Sequence, residues 1–245
     1  MAIRVLLNGA KGRMGRAILQ AAEGNAALEI IAALDQGDAL AKHLEGCDVA
    51  VDFSHHTATA PLGEAAARLG KAVVIGTTGH DAEERERIDV CTQSIPIVWA
   101  GNYSIGVNLL LFLVEKAAGT LSEAYEPEVF EMHHRHKVDA PSGTAENLIQ
   151  TILQARGWSE DTVQHGRSGI TGERPARQLG VHALRGGEIV GEHTVFFTGE
   201  GERLELTHRA YDRQIFAQGA LAAALWVTGK PAGLYAMRDV LGLNG

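Results

Sequence analysis

The chain of 245 residues has only two cysteines, Cys47 and Cys91, and no C-x-x-C pair. That excludes a disulfide framework and the common zinc and redox motifs. A Lys/Arg tract is also missing: 22 Lys+Arg stand against 30 Asp+Glu, a formal charge of -8 with all 11 histidines counted neutral. Phosphate backbones are held by clustered cations, so nucleic acid is excluded as the main partner. No window approaches the roughly 18 continuous apolar residues of a membrane span. The opening MAIRVLLNGAKGRMG lacks the apolar core and the small-residue cleavage site of a secretory signal. We therefore expect no membrane partner and a place in the reducing cytoplasm. There is no internal repeat or low-complexity stretch, and 45% apolar content is enough to pack one or two domains.

What is present is a regular beat of short apolar runs and helix-length segments. Ile3–Leu7, Leu28–Leu34, Val49–Phe53, Ala72–Ile75 and Ile95–Trp99 read as buried strands. Between them, Met14–Glu23, Thr57–Leu69 and Asp81–Cys91 carry apolar residues at helical spacing, and Asp81 with Glu84 makes a capping-box pair. Buried strands joined by crossover helices predict an α/β, doubly wound, Rossmann-like domain with a parallel sheet. After a helix near Val107–Ala118 the character changes. A strand over Glu128–Lys137, a helix over Ala145–Ala155, and strands over Gln178–Arg185, Glu188–Phe197 and Arg203–His208 predict a smaller α+β domain whose last three strands form an antiparallel meander. Residues 157–175 are too long and polar for an ordinary connection, which suits either a lid that carries Arg167 and Arg174 or a disordered segment. Helices near Arg213–Trp226 and Leu234–Leu241 are expected to pack back on the first domain. The expected division is 1–104 with 217–245 as a dinucleotide-binding domain, and 105–216 as the second domain.

The first strand is followed by Gly9-Ala10-Lys11-Gly12-Arg13-Met14-Gly15. Glycines there let the backbone turn tightly and approach a pyrophosphate, whose charge the amides and the helix start hold. The spacing is G-x-x-G-x-x-G, a variant of the dinucleotide fingerprint, and turn or packing needs alone could explain it. The strand before it, the helix after it, and Asp35 at the end of the second strand favour a nucleotide. Asp35 suits ribose hydroxyls and repels a 2′-phosphate, and the next residue is Gln36, so NADH is expected over NADPH, with NADPH possible. Two small-residue loops, Gly76-Thr77-Thr78-Gly79 and Ala100-Gly101-Asn102-Tyr103, fall at strand ends where such sheets bind ligands.

His133, His134 and His136 lie within four positions, with Arg135 and Lys137 beside them. Strand alternation would put His133, Arg135 and Lys137 on one face and His134 and His136 on the other. Cations so close repel one another, and a small anionic ligand is the economical way to neutralise them. Pro141 ends the strand and Gly143-Thr144 open a helix, whose start suits a carboxylate. A histidine titrating near pH ~6.5 suits a proton donor, and Lys137 can donate to developing negative charge. His134-x-His136 also has metal-ligand spacing, but a third ligand is missing and Lys137 opposes a cation, so no metal is expected.

The motifs HHRHKVDAPSGTA at 133–145, GAKGRMG at 9–15, VDFS at 51–54, GTTG at 76–79, AGNYSIGVN at 100–108, GEIVGEHTVFF at 187–197 and GERLELTHRA at 201–210 resemble the 4-hydroxy-tetrahydrodipicolinate reductase family over nearly the whole chain. The resemblance implies NAD(P)H-dependent reduction of a cyclic imine dicarboxylate, with loss of water, in lysine and diaminopimelate biosynthesis. It implies that Gly9, Ala10, Lys11, Gly12, Arg13, Met14, Asp35, Gly76, Thr77, Thr78, Ala100, Gly101, Asn102 and Tyr103 hold the cofactor. It further implies His133 as proton donor/acceptor, Lys137 as proton donor, and His134, Gly143 and Thr144 as binders of substrate carboxylate. A homotetramer assembled through the second domain's sheet is implied as well, and Gln36 departs from the Arg of members that use NADPH well. Two other readings stay open: a dehydrogenase of another small anionic substrate, such as an amino acid or a semialdehyde, and a regulatory protein that binds NADH without chemistry.

Overall fold

The first strand forms because Val5, Leu6 and Leu7 are consecutive, alternate between two covered faces and are all fully buried. The computed structural model describes residues 1–243; residues 244 and 245, which the sequence reading places in the first domain, lie outside them. In chain order the first elements are β1 (Ile3–Asn8), α1 (Arg13–Ala22), β2 (Leu28–Leu34), α2 (Leu40–Leu44), β3 (Val49–Asp52), α3 (His56–Leu69), β4 (Ala72–Ile75), α4 (Ala82–Cys91) and β5 (Pro96–Trp99). Asp81 accepts the Glu84 N–H at 2.8 Å while Glu84 accepts the Asp81 N–H at 2.9 Å, the capping box expected there. Next come α5 (Ile105–Thr120), β6 (Glu126–His133), α6 (Gly143–Arg156), β7 (Val163–His165), β8 (Leu179–Arg185), β9 (Gly191–Thr198) and β10 (Arg203–Ala210). The last are α7 (Gln214–Val227), β11 (Gly233–Tyr235) and α8 (Met237–Val240).

The chain divides into two compact units, Met1–Ile105 with Arg213–Gly245, and Gly106–Asp212. In the first, six parallel strands stand in the order β11-β5-β4-β3-β1-β2. One sheet face packs on α1 and α7 through Val5, Leu7, Val51, Ile18, Ala220 and Leu221. The other packs on α2, α3 and α4 through Leu6, Ala50, Leu44, Leu62 and Ile88. Strand order reverses between β1 and β3, where loops diverge and an open α/β sheet binds ligands. Gly9 follows β1 at φ +89°, and a Cβ there would stand 2.3 Å from the Phe53 carbonyl oxygen, so only glycine lets the loops after β1 and β3 touch.

In the second unit a five-stranded mixed sheet has the order β10-β9-β6-β8-β7. Val129, Val181, Val195 and Phe197 on one face bury against Leu148, Ile152 and Val114 of α6 and α5. Here the structure corrects the sequence reading in several places. The last three strands are not a meander: β9 and β10 pair antiparallel, but β6 lies between β8 and β9, parallel to β8. Turn glycines near 186 and 199 mark where strands end, not which strand is the neighbour. The strand expected to reach Lys137 stops at His133, because Lys137 N–H turns back to the His134 carbonyl and Arg135 N–H goes to Gly187. Arg135 and Lys137 therefore lie beyond the strand and do not share with His133 the strand face that alternation suggests.

Residues 157–175 are partly regular, with a short 3-10 turn at Glu160–Thr162 and the edge strand β7. Arg167 forks onto Glu128 at 2.8 and 3.1 Å and Arg174 reaches the same carboxylate at 3.3 Å, so both guanidinium groups tie the segment to β6. The expected final helix starts as strand β11, which extends the parallel sheet beside β5.

Candidate active site

In the first unit a cavity of about 640 Å³ opens at the switch point, lined by Gly9, Gly12, Asp35, Gln36, Asp38 and Ser54 among others. Its size falls in the ordinary range for small-molecule sites. The Asp35 carboxylate accepts Lys11 N–H at 2.8 Å and Gln36 N–H at 3.0 Å, and these bonds, Lys11 first, hold it below the usual carboxylate range. It thereby ties the glycine loop to the end of β2 and faces the cavity as an anion. Asp38 accepts Asp35 N–H at 2.8 Å and adds a second carboxylate to the same wall. Ala10 is buried, Arg13 opens α1, and Met14 packs against the core. A Cβ on Gly15 would stand 2.2 Å from the Gly9 carbonyl, so Gly15 serves close packing of α1 on the loop.

A second hollow of about 410 Å³ is lined by Thr77, Thr78, Ala100 and Gly101, which brings the two small-residue loops together. Gly76 packs under the Phe53 ring, and Asn102 accepts Ser104 N–H at 2.8 Å. Two of the predicted side chains are committed to the fold. Tyr103 is 2% exposed, and its hydroxyl donates to the carbonyls of Ile75 at 2.8 Å and Val98 at 3.1 Å. Thr77 donates to Asp52 at 2.8 Å and accepts Ser54 N–H at 2.9 Å. Only their main chains remain for a nucleotide.

In the second unit, His133 closes β6 and is mostly buried. Its Nδ1 lies 2.5 Å from Glu131, a fully buried carboxylate two residues earlier on the same strand face. Arg185 forks onto Glu131 at 2.9 and 2.8 Å, and Ser142 N–H adds a bond at 3.2 Å. Burial works to raise the Glu131 pKa, but Arg185 and His133 outweigh it and the group is held low. Burial is also the main influence on His133 and pushes it below the ordinary histidine value, against the opposing pull of Glu131. A Cβ at Gly191 would stand 3.0 Å from His133 Nε2, so the glycine leaves room for that atom.

Lys137, in the turn after β6, pairs with Asp139 at 2.9 Å. The Ser142 hydroxyl accepts Ala145 N–H at 3.2 Å as N-cap of α6 and meets His193 Nε2 at 3.1 Å. Gly143 and Thr144 are the first two residues of that helix, and a Cβ at Gly143 would touch nothing within 4 Å. Nδ1 of His134 is buried with no hydrogen-bond partner among the described residues, and its ring lies 6.1 Å from His136. The cations of this segment do not wait for a ligand to neutralise them: Glu131, Asp139 and Glu188 meet Arg185, Lys137 and Arg135. Among the described residues no group of three His, Cys, Asp or Glu side chains could hold a metal ion, and no helix is long and apolar enough to cross a membrane.

Sequence reasoning missed Glu131, Arg185, Ser142 and His193 as parts of this site. Glu131 was within reach, because positions i and i+2 share a strand face. Arg185 and His193 come from β8 and β9, and only the pairing of both strands with β6 brings them in. A parallel sheet with a glycine loop and an acidic residue at its switch point, followed by a unit with a buried carboxylate–imidazole pair beside a lysine, defines a nucleotide-dependent oxidoreductase of two units.

The comparisons narrow the class. The family described as dihydrodipicolinate reductase matches in both parts, its N-terminal region over residues 3–103 and its C-terminal region over 106–241. A 4-hydroxy-tetrahydrodipicolinate reductase from Akkermansia muciniphila is 52% identical over 244 residues, covering 99% of each chain. One from Thiobacillus denitrificans is 47% identical over 267 aligned positions, covering 100% of both. Among solved structures, the dipicolinate-bound dihydrodipicolinate reductase of Paenisporosarcina sp. TG-14 shares the fold at a TM-score of 0.82 and 24% identity, covering 98% of this chain and 99% of that one. The chain belongs to the dihydrodipicolinate reductase family and is an oxidoreductase.

Proposed function

We propose that His133 and Lys137 carry the proton chemistry of this chain, and that the first unit prefers NADH to NADPH. The overall reaction is the family's: NAD(P)H-dependent reduction of 4-hydroxy-tetrahydrodipicolinate to tetrahydrodipicolinate, with loss of water, in lysine and diaminopimelate biosynthesis. The observation that carries the assignment is the meeting, at one end of β6, of an anchored imidazole, a lysine-bearing turn and a helix start.

The cavity at the switch point, the glycine loop and Asp35 fit a dinucleotide, with Gly9 to Met14, Gly76 to Thr78 and Ala100 to Tyr103 as its contacts. When bound, the nicotinamide supplies a hydride. Adding that hydride to a conjugated ring imine drives an electron pair toward the ring nitrogen, and one proton completes the reduction. The ammonium of Lys137 stabilises the developing charge, and His133 supplies the proton, a role worth roughly 10²–10⁴ in rate. His134, with its orphaned Nδ1, and the α6 start at Gly143 and Thr144 bind a substrate carboxylate. Asp35 and Asp38 together oppose a 2′-phosphate, which supports NADH. The outward face of the second sheet carries Phe130, Met132, Leu184 and Phe196 outside the unit's core, and supports a homotetramer built on that face. We place the enzyme in the cytoplasm.

The test is a coupled assay that forms the precursor from pyruvate and aspartate semialdehyde, follows NADH and NADPH oxidation separately, and reads the assembly by light scattering. NADH is expected to give the larger kcat/KM. Histidine 133 and lysine 137 variants, His133→Asn and Lys137→Met, should lose turnover while still binding NADH. Undiminished turnover in both would refute the roles given to these residues.

A further inference from the structure

Glu131 is a buried acid whose place in the fold an ion pair with Arg185 alone would not explain. Its carboxylate is shared: Oε1 takes Arg185 Nη2 at 2.8 Å and Ser142 N–H at 3.2 Å, while Oε2 takes Arg185 Nη1 at 2.9 Å and His133 Nδ1 at 2.5 Å. The strand geometry imposes this. Glu131 and His133 point to one side of β6, and Arg185 stands directly opposite His133 in the ladder, reaching back along the strand to Glu131. Arg185 also donates to the Asp139 carbonyl at 2.6 Å, so the same guanidinium anchors the chain just after Lys137. On the far side, the His193 ring meets the His133 ring edge-on at 5.1 Å and is itself fixed by Ser142.

We propose that Glu131 is a positioning residue for the reductase reaction: clamped by Arg185, it accepts the hydrogen bond of His133 Nδ1–H, fixes the ring and leaves Nε2 as the atom that exchanges protons. This rests on the role given to His133 above. An acid bound to one imidazole nitrogen sets the tautomer and favours the protonated ring, the logic of carboxylate–histidine pairs in general. The charged and titratable groups that face His133 are Glu131 on its own strand, Arg185 on β8, His193 on β9 and Lys137 in the turn. Of these only Glu131 stabilises an imidazolium.

The experiment is a double-mutant cycle of Glu131→Gln and His133→Asn, with pH profiles and 15N NMR of His133 in the intact wild-type enzyme. We expect E131Q to lower kcat roughly ten- to a hundredfold, as outer carboxylates on functional histidines do. KM should change little, and the alkaline limb of the profile should move to lower pH. In the H133N background the same change should cost almost nothing more. NMR should place the proton of the neutral ring on Nδ1. Full turnover in H133N would sink the underlying role of His133. A deficient H133N with additive losses in the cycle, or an unmoved pH profile in E131Q, would overturn the Glu131 inference alone. Should E131Q not fold, the NMR decides, because a neutral His133 protonated on Nε2 contradicts the arrangement.

Discussion

Replacing Asp52 with asparagine keeps the shape of the side chain but exchanges one carboxylate oxygen for an NH2 group, which makes it a sharp test of how the loops at the switch point are held. Asp52 is fully buried at the end of β3 and accepts four hydrogen bonds. Oδ1 takes Asn8 Nδ2 at 2.8 Å and the Ser54 hydroxyl at 2.5 Å, while Oδ2 takes the hydroxyls of Thr59 at 2.7 Å and Thr77 at 2.8 Å. An amide keeps one acceptor, and its NH2 faces two donors whichever way it turns. Asn8 cannot become an acceptor through that nitrogen, so the amide NH2 settles toward Thr59 and Thr77. Their hydroxyls can rotate, but Thr77 already accepts Ser54 N–H. Two bonds to a charged acceptor are worth about 3–6 kcal/mol, and hydroxyl rotation recovers part of that, so D52N should cost about 3 kcal/mol of stability. That is a large share of the roughly 5–15 kcal/mol typical of a folded protein. Urea unfolding at neutral pH with an unchanged m-value measures it. A variant within about 0.5 kcal/mol of wild type would show that the four bonds do not act as a set, a threshold inside the ordinary range of surface substitutions.

Three further outcomes follow from the geometry. Gly191→Ala places a methyl 3.0 Å from His133 Nε2, so turnover should fall roughly tenfold or more through ring displacement while NADH titration stays unchanged. Burial, followed by the neighbouring His133, pushes the His193 pKa down to about 4 from an ordinary value near 6.5. A base depressed in the fold is protonated in the unfolded chain first, so its contribution is intact above pH ~6.5 and is lost as pH falls from there toward 4, by up to about 3 kcal/mol. Urea midpoints at pH 7 and 5 should show this, and a His193→Gln variant should flatten the difference. Finally, Glu128, brought to about 2 by Arg167, His182 and Arg174 against its own burial, holds residues 166–178 on β6. Glu128→Gln should increase protease cleavage in that segment without altering NADH affinity, measured by limited digestion and titration.

The first unit was readable because its strands are largely buried on both faces: Val5–Leu7 and Ala72–Ile75 are continuous apolar runs beside helix-period segments, and the glycine loop punctuates them. Short elements escaped. The helix over Leu40–Leu44 offers one turn of pattern, and Gly233–Tyr235 is a strand only because β5 lies beside it. In the second unit the strands were recognisable from alternation and turns, but strand order was not, since nothing local tells β9 to pair with β6 rather than β8. The same gap explains the site. His133, Lys137, Gly143 and Thr144 fall in one continuous segment and stood out; Arg185 and His193 become neighbours of His133 only through register. Arg135, expected beside His133, moves away because the chain leaves the strand at His133, four residues before the end at Lys137 that alternation alone suggests.

The return of the chain to the first unit after Asp212 has a consequence for synthesis. Ala217, Ala220, Leu221, Ala224 and Val227 of α7, with Met237, belong to the same core as Val5 and Val51. A nascent polypeptide that has emerged only through β5 has α1 on one side of its sheet but leaves the part of that side under α7 exposed, and it cannot cover that part until α7 has been made. The second unit, encoded inside this interval, has its own core from α5 to β10 and can close first. Translation arrest or truncation before α7 would therefore leave a folded second unit attached to a first unit that is sticky and protease-sensitive, although the missing residues lie far along the gene from the strands they protect.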